Sequence, residues 1–386
     1  MKPSKRAAVA PFMAMDVLRE AKRLEAEGRR IVHMELGEPG APAPRLVREA
    51  AAAALRDGRL GYGEAAGDME LRRRIARHYQ EYYDVAVEPS RVLATTGSSG
   101  AFNLVFLACF DAGARIGLAN PGYPAYANIL AVLGLEGVPI NVGDETGFAL
   151  TRELVDAAHQ RRRLDGLLLM SPANPTGAII PSDEFRALCA FCEAEGIALV
   201  SDEIYHRLEY GARAETALAF SERAIVVNSF SKYYAMTGWR LGWVIAPEPL
   251  APAMERLQQS LAICAPTLAQ RAALSAFDAT EELEAVKAGY ARSRAMLLNT
   301  LPRLGLTSFA PPDGAFYVYV DVSHLTHDST RFCGELLADA GVATTPGVDF
   351  DPIRGPASLR LSYAGPEAEV ALGVQRLGEW LGRSGR

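Results

Sequence analysis

Between residues 90 and 246 the chain repeats one pattern: a short apolar run, a break rich in Gly, Pro, Ser or Asn, then a segment with helical periodicity. The runs are Arg91–Thr96, Ala114–Ala119, Gly166–Met170, Ile197–Ser201, Ala224–Val227 and Leu241–Ala246. Alternation of this kind specifies an α/β fold, a mostly parallel sheet covered by helices on both faces. Ahead of it, Met13, Val17, Leu18, Ala21 and Leu24 recur at helical spacing, with Gly28 as a stop. A short strand, Ile31–Leu36, comes next and ends in Gly37-Glu38-Pro39-Gly40, and further helices are expected over Arg45–Leu55 and Asp68–Ala76. Beyond Pro249 a long helical segment, Pro266–Leu301, leads to a strand signal at Gly314–Val320, a helix over Thr330–Ala340 and a last strand, Ser358–Ser362.

At 386 residues the chain is too long for one simple core and suggests at least two domains. A net charge of −6, with no basic run interleaved with aromatics, argues against a nucleic-acid binder and for a small ligand. The basic start, Met1 to Arg6, is followed by apolar residues broken by Asp16, Arg19 and Glu20, which fits neither a signal peptide nor a membrane span, so a cytoplasmic protein is expected. Five cysteines make no disulfide framework. Cys189 and Cys192 sit three apart in a helical pattern and read as core residues, since no second pair or nearby histidine completes a metal site. No metal is expected.

Lysine is the rare base here: only Lys2, Lys5, Lys22, Lys232 and Lys287 occur, against 35 arginines. Arginine keeps its proton at any useful pH, whereas a desolvated lysine can become a nucleophilic amine. Lys232 closes the run Ala224–Val227 among the hydroxyls of Ser229 and Ser231, eight residues before Arg240. Open parallel sheets bind ligands outside the carboxyl ends of their strands, so the residues after each run matter. After the first comes Gly97-Ser98-Ser99-Gly100, opening a helix whose free N–H groups form an anion site. After Met170 comes Ser171-Pro172-Ala173-Asn174-Pro175-Thr176-Gly177, presenting one amide between prolines; after Val200 come Asp202 and, three residues on, Tyr205. Individually these read equally well as caps and turns. Together they supply an amine, an anion site, a carboxylate and a hydrogen-bond donor, which are the needs of pyridoxal 5'-phosphate.

The motifs Ser-Phe-Ser-Lys (229–232), Thr-Gly-Trp-Arg-Leu-Gly (237–242), Asn-Pro-Thr-Gly (174–177), Ser-Asp-Glu-Ile-Tyr (201–205) and Leu-Gly-Glu-Pro (36–39) jointly resemble the class I aminotransferases of the aspartate aminotransferase superfamily. The resemblance runs from about Pro11 to the Arg360 segment and implies fold type I: a large domain with a mostly parallel seven-stranded sheet, and a smaller α/β domain made from both chain ends. It places an arm and the first part of the small domain in residues 1–44, the cofactor-binding domain in 45–285 and the rest of the small domain in 286–386. It implies that Lys232 holds the cofactor as a Schiff base and shuttles a proton, that Asp202 pairs with the ring nitrogen, and that Asn174 and Tyr205 bond its phenolate oxygen. The phosphate falls to Gly97, Ser98, Ser99, Ser229, Ser231 and Arg240, with Tyr123 on the ring face and Tyr62 reaching across from a partner subunit. Arg360 clamps the substrate α-carboxylate, with the Gly37 backbone and Asn174 close to it.

The function implied is transfer of an amino group from an L-α-amino acid to a 2-oxo acid, 2-oxoglutarate by family expectation, in a ping-pong cycle within a homodimer that shares its active sites. A β-lyase or other α-carbanion chemistry on an amino acid is the alternative, because such enzymes share much of this site. A pyridoxal-binding regulator fits less well, since about ten residues precede the matched region, and a nicotinamide dehydrogenase less well still, since residues 97–100 lack the G-x-G-x-x-G spacing. No motif supplies a second arginine for a dicarboxylate.

Overall fold

A computed structural model of the protein describes residues 2–383. A short strand, β1 (Val32–His33), precedes seven strands of one sheet: β2 (Val92–Thr95), β3 (Arg115–Asn120), β4 (Glu136–Asn141), β5 (Gly166–Met170), β6 (Ala198–Asp202), β7 (Ile225–Ser229) and β8 (Gly242–Ile245). Their order is β2-β8-β7-β6-β5-β3-β4. All are parallel except β8, which runs against both β2 and β7. Alternate side chains of a strand point to opposite faces. Leu167 and Leu169 therefore join one apolar cluster while Leu168 joins the other, and Val226 parts from Ile225 and Val227 in the same way. Each cluster is closed by helices, so the strands carry continuous apolar runs, as a sheet buried on both sides requires.

The six apolar runs all become strands of this sheet. The seventh, β4, has no apolar run: Glu136-Gly137-Val138-Pro139-Ile140-Asn141 pairs only with β3, at the sheet edge, where Pro139 costs no ladder bond. Two expectations need correction. The strand expected over Ile31–Leu36 is confined to Val32–His33, because the Glu35 carbonyl accepts from the side chains of Arg360 and Thr345 and leaves no ladder to continue. The long helical segment is broken into Thr267–Ala273, a 3-10 turn at Leu274–Asp278, and Thr280–Thr300.

The remaining strands join distant parts of the chain. They are β9 (Tyr317–Asp321), β10 (Val342–Ala343), β11 (Thr345–Pro346) and β12 (Ser358–Ser362). β1 pairs in parallel with β10, and β11, β12 and β9 form an antiparallel sheet in that order. Segments near residues 32 and 342 thus lie side by side. The helix Met13–Ala26 contacts this group through Ala21 and Leu24, which pack with Ile31, Leu337 and Ala343. The expected boundary at residue 285 falls inside the helix Thr280–Thr300. Among the described residues no helix is long and apolar enough to cross a membrane, and no group of three or more His, Cys, Asp or Glu is placed to hold a metal ion. Cys189 and Cys192 are buried, free thiols in the core.

Candidate active site

Strands β2, β3, β5, β6 and β7 all end at one edge of the sheet, and the antiparallel β8 begins there. Each strand therefore delivers the residues after it, and β8 the residues before it, to one place. A cavity of about 420 Å³ opens at this edge. Lys232 enters it from the turn after β7. Phe230 fixes that turn: its ring is fully buried, 5.0 Å from Trp243, while Ser229 and Ser231 point the other way with their hydroxyls 2.8 Å apart. Burial of such a ring contributes about 2–3 kcal/mol, enough to hold the turn in register. Lys232 Nζ donates to the Gly37 carbonyl at 2.5 Å.

Asp202, the last residue of β6, is buried at the floor; its carboxylate accepts from the Tyr126 hydroxyl and from the Ile204 N–H at 3.0 Å. Burial pushes its pKa up to about 6, against the pull of those two donors and of the Lys232 charge. The same desolvation lowers Lys232 to about 8, with the positive charges of Arg360 and Arg240 adding to it and the carboxylates of Glu38 and Asp202 opposing it. An amine at that value is still mostly protonated near neutral pH, but its neutral, nucleophilic fraction is far larger than that of an ordinary lysine. Tyr205 lies beside them, its hydroxyl 2.7 Å from that of Tyr317.

Two glycines make the arrangement possible. At Gly97, with φ +69°, an added Cβ would lie 2.4 Å from the Arg240 guanidinium. The bare backbone is what lets Arg240 reach the first turn of the helix Gly97–Cys109, where Ser98 and Ser99 line the cavity. At Gly37 an added Cβ would lie 1.8 Å from the Tyr317 hydroxyl. Close backbone approach, rather than a turn, is thus the reason for this glycine.

Opposite the floor, Arg360 in the middle of β12 is buried between the rings of Tyr317 and Phe350, with its guanidinium carbon 4.4 and 4.7 Å from their centroids. It donates to Asn174 Oδ1 at 2.9 Å, to the Glu35 carbonyl and to Thr345 Oγ1 at 3.2 Å, and its buried Nε has no partner among the described residues. A guanidinium that lines a cavity between two aromatic faces can bind a carboxylate through a pair of N–H groups. The wall beyond it is apolar, formed by Phe12, Met15 and Leu18 of the N-terminal segment together with Leu36 and Phe350.

Eleven of the expected site residues line this one cavity: Gly37, Ser98, Ser99, Tyr123, Asn174, Asp202, Tyr205, Ser231, Lys232, Arg240 and Arg360. Gly97 and Ser229 stand behind the lining, the first clearing space for Arg240 and the second hydrogen-bonded to Ser231. Tyr62 is elsewhere, 84% exposed on a surface loop. Sequence reasoning missed Tyr126, Tyr317, Phe350, Glu38, Thr237, Asp349 and the apolar wall. Tyr126, three residues after Tyr123 at the start of the helix Pro124–Leu133, had helical spacing as its signal. Leu36, Glu38 and Thr237 lie inside motifs quoted above but were given no role of their own; Tyr317, Asp349, Phe350 and the N-terminal part of the wall had no signal, because their contacts join segments hundreds of residues apart.

Comparison with known proteins agrees with this geometry. The family model described as aminotransferase class I and II matches residues 31–377. The chain is 50% identical to a valine–pyruvate aminotransferase of Mycobacterium tuberculosis, over 97% of each protein. A crystal structure of an aminotransferase from M. tuberculosis superposes with a TM-score of 0.96 at 48% identity, covering 99% of this chain and all of that one. Thermus thermophilus aspartate aminotransferase with maleate gives a TM-score of 0.92 at 32% identity, with 98% and 99% covered. A family match across most of the chain, together with a lysine, a carboxylate and an arginine converging on one sheet edge, shows that this chain belongs to the class I and II aminotransferases.

Proposed function

We propose that this aminotransferase moves the amino group of an L-α-amino acid with an uncharged, apolar side chain to pyruvate, using pyridoxal 5'-phosphate. The observation that carries the substrate reading is the composition of the cavity wall. Among the described residues its cations are Lys232, Arg240 and Arg360, each beside the floor or the α-carboxylate position, while the side-chain direction offers Phe12, Met15, Leu18 and Phe350 with the carboxylates of Glu38 and Asp349. A second substrate carboxylate meets no further cation of this chain there, which disfavours 2-oxoglutarate as acceptor and favours a 2-oxo acid with one carboxylate. The likeness to a valine–pyruvate aminotransferase supports the same choice.

The residues present fit the cofactor. Lys232 is a partly buried amine of lowered pKa, and Gly97 lacks the side chain that would push Arg240 away from the helix N-terminus. Ser98, Ser99, Ser231 and Arg240 would hold the phosphate, with Ser229 and Gly97 supporting them; Asp202 would pair with the ring nitrogen, Asn174 and Tyr205 with the phenolate oxygen, and Tyr123 would cover a ring face. When bound, the group supplies an aldehyde that captures amines and a ring that accepts electrons from the substrate α-carbon. Asp202 would keep the ring nitrogen protonated, and a cation beside it would in turn lower the raised pKa of Asp202. Arg360 would fix the substrate by its α-carboxylate so that the Cα–H faces Lys232, whose neutral Nζ would take that proton.

The exposed Tyr62 loop supports a homodimer in which the partner subunit's Tyr62 completes the phosphate site. The divisions at 44/45 and 285/286 and a cytoplasmic location belong to the same reading. The test is a half-reaction panel that tracks the cofactor's visible absorbance as single amino acids are added. L-Valine or L-alanine converts it to the amine form without ammonia release, and pyruvate restores it. Release of ammonia with pyruvate overturns the reading in favour of elimination.

A further inference from the structure

Asp349 belongs to neither the floor nor the α-carboxylate clamp. It ends the 3-10 turn Gly347–Asp349, lines the cavity and is partly buried. Its two carboxylate oxygens accept from backbone N–H groups 336 and 335 residues away in sequence: Oδ1 from Met13 at 3.1 Å and Oδ2 from Ala14 at 3.4 Å. These are the first two residues of the helix Met13–Ala26, whose own preceding residue, Phe12, has no capping side chain. A helix leaves its first four N–H groups without partners, and a carboxylate there is favoured by hydrogen bonds and by the helix dipole. Asp349 therefore caps this helix from the far end of the chain. The helix it caps carries Met15 and Leu18, and with Phe12 these form the apolar wall. Phe350, the next residue, stacks on Arg360.

We propose that Asp349 is a specificity-determining residue: it pins the N-terminal helix as an apolar wall against the α-carboxylate clamp, and its own negative charge excludes acidic side chains. This rests on the assignment of apolar amino acids as substrates and deepens it. The two contributions have separate consequences. The cap fixes how closely Phe12, Met15 and Leu18 approach a substrate side chain. The charge, in a cavity with Glu38 already present, opposes a second carboxylate. Burial raises the Asp349 pKa, while the two amides and Arg360 pull it back toward the ionised form.

The experiment compares the wild-type holoenzyme with Asp349→Asn and Asp349→Ala, measuring kcat and KM for L-valine and L-glutamate and hydrogen exchange of residues 13–18. Asparagine keeps one acceptor oxygen but loses the second and the charge, so exchange in Asp349→Asn falls between wild type and Asp349→Ala, while the valine-over-glutamate preference in kcat/KM falls about tenfold. In Asp349→Ala exchange at residues 13–18 accelerates about tenfold or more relative to the helix Thr280–Thr300, and KM for L-valine rises about tenfold with kcat little changed. Unchanged exchange and unchanged preference in both variants overturn the proposal. A wild-type enzyme that prefers glutamate to valine overturns the substrate reading instead, and the exchange measurement, which needs no substrate, still decides whether Asp349 holds the helix.

Discussion

The floor of the cavity is assembled locally and the apolar wall is not. On the floor, Asp202 ends a strand, and Ser231, Lys232, Asn174, Ser98 and Ser99 lie within about four residues of one. On the wall, Phe12, Met15 and Leu18 are held against Phe350 and Arg360 by Asp349, across more than 330 residues. The floor stands directly on the buried sheet, while the wall is carried by a helix that is packed through Ala21 and Leu24 and tied at its N-terminal end by the two hydrogen bonds to Asp349. A rigid floor suits groups that must meet a reacting atom within a fraction of an ångström. A wall built separately can change which side chain is accepted without disturbing the chemistry.

Floor substitutions should act on kcat whatever the substrate, and wall substitutions on the choice among substrates. The largest effect is expected for Lys232→Ala, with kcat lowered about 10⁴-fold or more; steady-state assays showing normal multiple turnover would break the division outright. Asp202→Asn removes the carboxylate while keeping the shape, and should lower kcat about 10²- to 10³-fold for every donor, with a thermal melt near wild type. Arg360→Lys loses the planar fork and should raise KM about 10²-fold for L-valine and L-alanine alike. An effect confined to acidic donors would show that Arg360 meets the substrate side chain rather than its α-carboxylate.

Gly37→Ala tests the seam between the two, since the new Cβ would fall 1.8 Å from the Tyr317 hydroxyl. It should cost about 1–3 kcal/mol of stability, read as a lower Tm, and Tyr317→Phe in the same chain should recover part of the loss. The last effect is a pH dependence of the cofactor-free protein. The folded Lys232 pKa of about 8 lies below the ordinary 10.5, so between these values the unfolded chain binds more protons and stability gains from this lysine as pH rises. Urea melts should show a stability difference between wild type and Lys232→Met that shrinks from about pH 7.5 to about pH 10. A difference that is flat across that range would mean that the amine is not desolvated.

Legibility divides along the same line. Lys232, Asp202, Asn174 and the Ser98-Ser99 turn could be found by looking just past the end of each apolar run, because a parallel sheet brings all strand ends of one kind to one edge. Strand β4 escaped because an edge strand needs no apolar run, and its Pro139 argues against a strand until the edge position is known. The phosphate role proposed for Arg240 rests on family resemblance alone. The antiparallel course of β8, which puts that strand's start rather than its end at the site, is a property of pairing with β2 and β7. Tyr317 lies within the strand signal Gly314–Val320, and nothing in the sequence singles out Asp349.

The chemistry of the floor was determined by the sequence itself, since short apolar runs and the residues that break them fix both the sheet and the groups that stand at its mouth. The tertiary structure decided what the floor is for. A pleat leaves the side chain at one position free to point either way until its partner strand is chosen, and a helix end acquires its cap only when a distant turn arrives. The direction of Arg360, the cap from Asp349 and the apolar wall all depend on such pairings, and long-range contact is the information that a reading of neighbours along the chain does not contain.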